Sequence, residues 1–155
     1  MKAQFLGLLV GVSLTWISSS ALAALGDQMV TTSSATTSSG RSTLSTSAGS
    51  SYSVVDSVED GMNVRQYLDS RGVVFAISWK GKNLPPLATL LGTYLPEYKA
   101  ELSSRPKQFG RKTLKVSTKN IVVEGSSRQM DQRGRAYIPS RLPEGFDIKD
   151  INSNE

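Results

Sequence analysis

From Ser51 onward the chain settles into short runs of β-branched and aromatic residues punctuated by turn formers. "YSVVDSV" (52–58), "MNVRQYL" (62–68) and "VVFAISW" (73–79) read as strands, with "EDG" at Glu59–Gly61 and "DSRG" at Asp69–Gly72 between them. Tight polar turns joining consecutive strands predict an antiparallel meander. In the third run, alternation puts Phe75, Ile77 and Trp79 on one face and Val74, Ala76 and Ser78 on the other. A bulky face backed by a small one predicts a sheet covered on one side by something large, such as a helix.

The period then lengthens. Leu87, Leu90, Leu91, Tyr94, Leu95 and Tyr98 recur at helical spacing. Asn83 is a candidate N-cap, and Pro85 and Pro86 suit the first turn, where a missing N–H costs little. Pro96 is expected to end or kink the helix at Leu95. A basic loop follows at Ser103–Lys112, then two β-prone pieces, Thr113–Ser117 and Asn120–Glu124, around a "TKN" turn. Gly125–Gly134 reads as a polar loop before "RAYIPS", and the end, "LPEGFDIKDINSNE", as an acidic, irregular tail. The expected fold class is α+β: an antiparallel meander sheet of about five to seven short strands with one main helix packed on a face. The expected domain is 51–145, with the acidic tail at 146–155.

Ahead of that domain the pattern is different. "MKAQFLGLLVGVSLTWISSSALAALGD" carries a cation at Lys2, an apolar run from Phe5 to Ile17, and small–x–small at Ala21–Leu22–Ala23. This is the form of a secretory signal peptide, with cleavage expected after Ala23. The apolar run falls short of the roughly 20 residues of a spanning helix. A periplasmic or secreted mature chain without a transmembrane segment is therefore expected. Residues 24–50 read as a flexible Ser/Thr-rich arm, since such a composition buries little apolar surface against its ordering entropy. Arg41–Ser47 is the one piece of it expected to order, as an edge strand.

Composition removes whole classes of chemistry. None of the 155 residues is cysteine or histidine. Disulfides, thiol nucleophiles, iron–sulfur clusters and thiolate zinc sites are excluded. So are imidazole metal sites and Ser-His-Asp triads, along with the usual general base at neutral pH. No cofactor is expected. The carboxylates do not suggest catalysis either: Glu97 and Glu101 stand one helical turn apart, and Asp56, Glu59 and Asp60 cluster at a turn. A glycosidase needs two carboxylates flanking a cleft.

Charge is the stronger signal. The net charge is +5, yet between Tyr98 and Arg141 eleven Lys/Arg face three acids, a local excess of eight. Lys99, Arg105, Lys107, Arg111, Lys112, Arg133 and Arg135 are the candidate binding cations from this region. Such a concentration attracts anionic partners. An ordinary solvated surface remains the competing reading. Trp79 is a further binding candidate. With Tyr67, Tyr94 and the edge cations Arg71 or Lys80 it would line an aromatic shelf for sugar rings, although its alternation with Phe75 and Ile77 favours a place in the core.

Several motifs taken in order resemble a known family. They are "ALAALG" (21–26), "VRQY" (64–67), "GVVFAISWKG" (72–81), "PPLATLLGTY" (85–94), "GRAYIP" (134–139) and "LPEG" (142–145). Together they are similar to a family of small exported bacterial proteins, domain of unknown function 2844. The resemblance implies export and a single domain, and it brings no activity, ligand or catalytic residue. The functional expectation is a non-catalytic accessory or binding protein of the cell envelope. Its partner would be an anionic envelope component or another envelope protein, and not nucleic acid. Two alternatives stand beside it: an adaptor acting by strand addition, and a hydrolase working without histidine.

Overall fold

The structure, a computed structural model, describes residues 22–29, 40–59, 61–106 and 113–151. Seven strands form one open antiparallel sheet: β1 (Arg41–Ser45), β2 (Ser51–Glu59), β3 (Met62–Leu68), β4 (Val74–Gly81), β5 (Thr113–Ser117), β6 (Val122–Arg128) and β7 (Asp131–Tyr137). Their order across the sheet is β1-β2-β3-β4-β7-β6-β5. The chain meanders through β4 and leaves the sheet for its helices. It returns at the far edge and meanders back until β7 pairs with β4. The fold is α+β, as expected.

One face is covered by α1 (Leu87–Leu91), a 3-10 turn at Gly92–Tyr94 and α2 (Leu95–Ser104). Leu90, Leu91 and Tyr98 pack there on Met62, Val64, Ile77, Trp79, Val123 and Ile138. The piece Leu22–Met29, which turns at Leu25 and Gly26, completes this layer. Leu25 is fully buried and donates its N–H to Leu90 O at 2.9 Å, and Gly26 N donates to Val74 O at 2.8 Å. The buried amide of Gln66 donates to Ala23 O. Of the expected arm, then, Ala24–Met29 is built into the fold, anchored by one leucine and backbone bonds. Arg41–Ser45 is an edge strand, and Val30–Ser39 lies outside the described residues.

The opposite face carries a second, aromatic layer. Tyr52, Val54, Tyr67, Phe75, Ala76, Val122 and Tyr137 are covered there by Leu142, Phe146, Ile148 and Ile151. The C-terminal segment is therefore a packed part of the domain as far as Ile151, where apolar side chains at 146, 148 and 151 outweigh the acidic ones; 152–155 lie outside the described residues. The core extends past the 51–145 boundary at both ends.

Four local expectations are corrected. Phe75 does not share a face with Ile77 and Trp79. Tyr67 pairs with Ala76 but Leu68 with Val74, so Phe75 is the extra residue of a β-bulge and turns to the aromatic layer. The helix breaks at Gly92 and not at Leu95. Gly92 adopts φ +50°, and a Cβ there would lie 2.6 Å from that of Ala24, while Pro96 sits in the first turn of α2, where proline is tolerated. The N-cap of α1 is Pro86, without a side-chain cap, and not Asn83. Finally, Gly125–Gly134 is no loop. Most of it belongs to β6 and β7, joined by a tight turn at Gln129–Met130 in which Met130 takes φ 57°.

Candidate functional site

The cross-strand register decides where the charges go. On the face bearing the C-terminal segment, one row runs Asp56 (β2), Arg65 (β3), Ser78 (β4), Arg135 (β7), Glu124 (β6), Lys115 (β5). The next row runs Asn63, Lys80, Arg133, Ser126, Thr113. Because side chains alternate along each strand, both rows and the aromatic layer share this face. The C-terminal segment covers the aromatic half; of the two polar rows Ser78 is buried, Asp56, Arg65, Lys80, Glu124, Ser126 and Arg135 are partly exposed, and Asn63, Thr113, Lys115 and Arg133 are exposed. Arg128 and Asp131 extend the band at the β6–β7 turn. The band thus carries six cations (Arg65, Lys80, Lys115, Arg128, Arg133 and Arg135) against Asp56, Glu124 and Asp131.

The ion pairs hold these side chains in place. Asp56 receives Arg65 in a fork, Nε at 2.6 Å and Nη2 at 3.0 Å. Glu124 is shared: Lys115 Nζ lies 2.8 Å from one carboxylate oxygen and Arg135 2.7 Å from the other. Burial disfavours ionising Glu124, but the hydrogen bonds from Lys115 and Arg135 outweigh it, so its pKa lies below the ordinary carboxylate value. Arg135 also donates to Ile148 O at 2.8 Å, which ties the band to the C-terminal segment. Arg133 pairs with Asp131 at 2.9 Å, and this hydrogen bond lowers the acid's pKa. A groove of about 640 Å³ opens over Lys115, Glu124, Ser126, Arg133 and Arg135. It offers cationic N–H groups and a serine hydroxyl to an acidic ligand, and it holds no pair of free carboxylates.

The candidates from the sequence divide. Arg133 and Arg135 lie in the band. Lys99 is on α2 and Arg105 is its C-cap, beyond the other face; Lys99 is exposed, and Arg105 is held by Glu101 at 3.0 Å and by the carbonyl of Lys115. Lys107, Arg111 and Lys112 lie outside the described residues. Trp79 is 3% exposed and belongs to the helix-side core. Tyr67 sits on the opposite face, with its hydroxyl donating to Asp150 O at 2.9 Å, so the two rings do not share a shelf. Tyr94 packs in the helix layer. Lys115, Arg65 and Glu124 were not singled out from the sequence, and Lys80 only as an edge of the aromatic shelf. The signal for them was the alternation of charged and small residues in "SWKG", "TLKVS" and "RGRAY", which places like-facing cations on adjacent strands once the register is known.

Two further carboxylates, Glu97 and Glu101, are also engaged. Glu97 accepts from Asn120 Nδ2 at 3.0 Å, and hydrogen bonds from Thr118 and Asn120 lower its pKa. Glu101 holds Arg105. No group of three or more acids among the described residues could hold a metal ion, and no helix among them is long and apolar enough to cross a membrane.

The family comparison agrees with the motifs. A family model described as a protein of unknown function (DUF2844) matches residues 21–151. The chain belongs to this family. The match runs from the Ala21 motif to Ile151, the last residue of the aromatic layer, and so covers both layers of the fold as well as the charged band. No curated protein and no solved structure matches the chain.

Proposed function

We infer that this protein is an exported, non-catalytic binding protein of the cell envelope that engages an anionic envelope component through the cationic band of its sheet. The observation that carries this reading is the pair of cross-strand rows that gathers Arg65, Lys80, Lys115, Arg133 and Arg135 on one open face. Their spacing along five strands suits an extended ligand with repeated carboxylate or phosphate groups, such as an acidic polysaccharide, lipid phosphates or peptidoglycan carboxylates. The three-part N-terminal sequence supports export, and an envelope address argues against nucleic acid. The engagement of Asp56, Glu97, Glu101 and Glu124 in ion pairs and turn caps supports a non-catalytic role.

The test is co-sedimentation with isolated envelope fractions at low and physiological salt. Binding should fall steeply as salt screens the band. Lys80→Gln with Arg133→Gln should abolish it, and Lys99→Gln on the far side of the molecule should leave it intact. Salt-independent binding, or equal loss from the helix variant, would remove the band from consideration.

A further inference from the structure

An open sheet has two edges, and this one treats them differently. At the β5 edge, the bond from Thr118 N to Ile121 O sets the phase of pairing with β6. Leu114 and Val116 turn their backbone groups inward, and Thr113, Lys115 and Ser117 turn theirs outward. The middle outward carbonyl, that of Lys115, accepts from the guanidinium of Arg105, which Glu101 holds in place at 3.0 Å. This edge is blocked at its centre.

Among the described residues the β1 edge is open. Thr46 N donates to Ser50 O at 2.8 Å and Asp56 N to Gly40 O at 3.1 Å, which fixes the phase against β2. Ser42 and Leu44 bond inward, so the N–H and C=O groups of Arg41, Thr43 and Ser45 point outward. All five β1 residues are exposed, and among the described residues no hydrogen bond reaches those six outward groups. The strand has no proline, lysine or bulge to discourage pairing.

We propose that the occupant of this edge is a second copy of the same chain, with the two β1 strands paired antiparallel about a two-fold axis at Thr43. In that register Thr43 opposes Thr43 and Arg41 opposes Ser45, and all six outward groups of each copy are satisfied. No like charges meet. Ser42 and Leu44 stand opposite each other, so the two Leu44 side chains, each 45% exposed in the single chain, become diagonal neighbours on one face. The same operation at β5 would set Lys115 against Lys115. Pairing β1 on β5 would be head-to-tail and would not close. The proposal is independent of the polyanion reading, because β1 contributes nothing to the cationic band.

Sedimentation velocity of the purified chain over a concentration series tests it. A reversible monomer–dimer equilibrium is expected. Thr43→Pro removes an outward N–H and should yield a monomer whose melting profile matches that of the wild type at concentrations too low for dimerisation. Thr43→Lys sets two ammonium groups against each other across the two-fold and should also dissociate the dimer, with partial recovery at high salt. A hydrogen-bonded antiparallel pair places its Cα atoms about 5.5 Å apart, within disulfide reach. Since the chain has no cysteine, Thr43→Cys should oxidise to a covalent dimer far faster than Ser117→Cys on the other edge. A chain that stays monomeric throughout, a dimer indifferent to both Thr43→Pro and Thr43→Lys, or equal crosslinking at the two edges would overturn the proposal.

Discussion

The indole of Trp79 lies over Gly134, its register partner on β7. A Cβ placed at 134 would fall 2.7 Å from Cε2 of the ring and 2.6 Å from the carbonyl oxygen of Glu124. Gly134 in turn pairs with Gly125 on β6, where a Cβ would meet only Arg133 O at 3.8 Å, so it is Gly134 that clears the space the ring uses. Gly134→Ala therefore forces the indole out of place and is expected to cost about 1–3 kcal/mol, the range of overpacked cores. Urea unfolding followed by tryptophan fluorescence measures this, and a midpoint equal to wild type would show that the ring has room to move.

That contact also explains why the last hairpin was hard to read from the sequence. "VVEGSSRQMDQRGRAY" shows no run of alternating apolar residues because its helix-side surface is supplied by a tryptophan from β4, and its other surface carries charge. Strands β2, β3 and β4 supply their own apolar faces and were legible. Phe75 was misassigned because a bulge shifts the alternation by one residue, and Pro96 misled because the close approach of Ala24 to Gly92, distant from it in sequence, sets the helix break. The charge excess was visible in the composition. Which cations share a face was not, because that depends on strand register.

Glu124 links stability to binding with opposite signs. Its carboxylate neutralises both Lys115 and Arg135. Glu124→Gln should cost about 1 kcal/mol at neutral pH, as expected for partly exposed ion pairs. It should also strengthen retention on an anionic matrix, since two cations lose their partner. The folded-state pKa of Glu124 is lowered, so its contribution is fully present above the unfolded carboxylate value and is lost as pH falls through the folded one. Unfolding curves of wild type and variant should therefore converge in acid. Curves that stay parallel down to the lowest pH would show that the carboxylate's charge is not what stabilises.

Phe146 closes the aromatic layer. Its ring centroid lies 5.1 Å from those of both Tyr52 and Phe75, edge-on to each. Phe146→Ala should cost about 2 kcal/mol, less than a fully buried phenylalanine because the ring is half-exposed. The near-ultraviolet circular dichroism of the tyrosines should weaken with it. A loss of stability with an unchanged tyrosine signal would mean that the ring acts elsewhere than on Tyr52 and Tyr67.

Leu25 tests whether the segment ahead of β1 is structural. It is fully buried among helix-side residues, in a stretch whose composition resembles a linker. Its backbone bond to Leu90 and that of Gly26 to Val74 join the segment to both α1 and the sheet. A side chain in that position behaves as core, so Leu25→Ala should cost about 2–5 kcal/mol. Leu84→Ala, at a leucine 79% exposed, should change stability by no more than about 0.5 kcal/mol. Chemical unfolding of the two variants side by side decides the matter. If Leu25→Ala were as mild as Leu84→Ala, the segment would rest on the domain without holding it together. The larger loss would make Ala24–Met29 part of the folding unit, so that a truncation starting at Ser51 would lose at least as much stability.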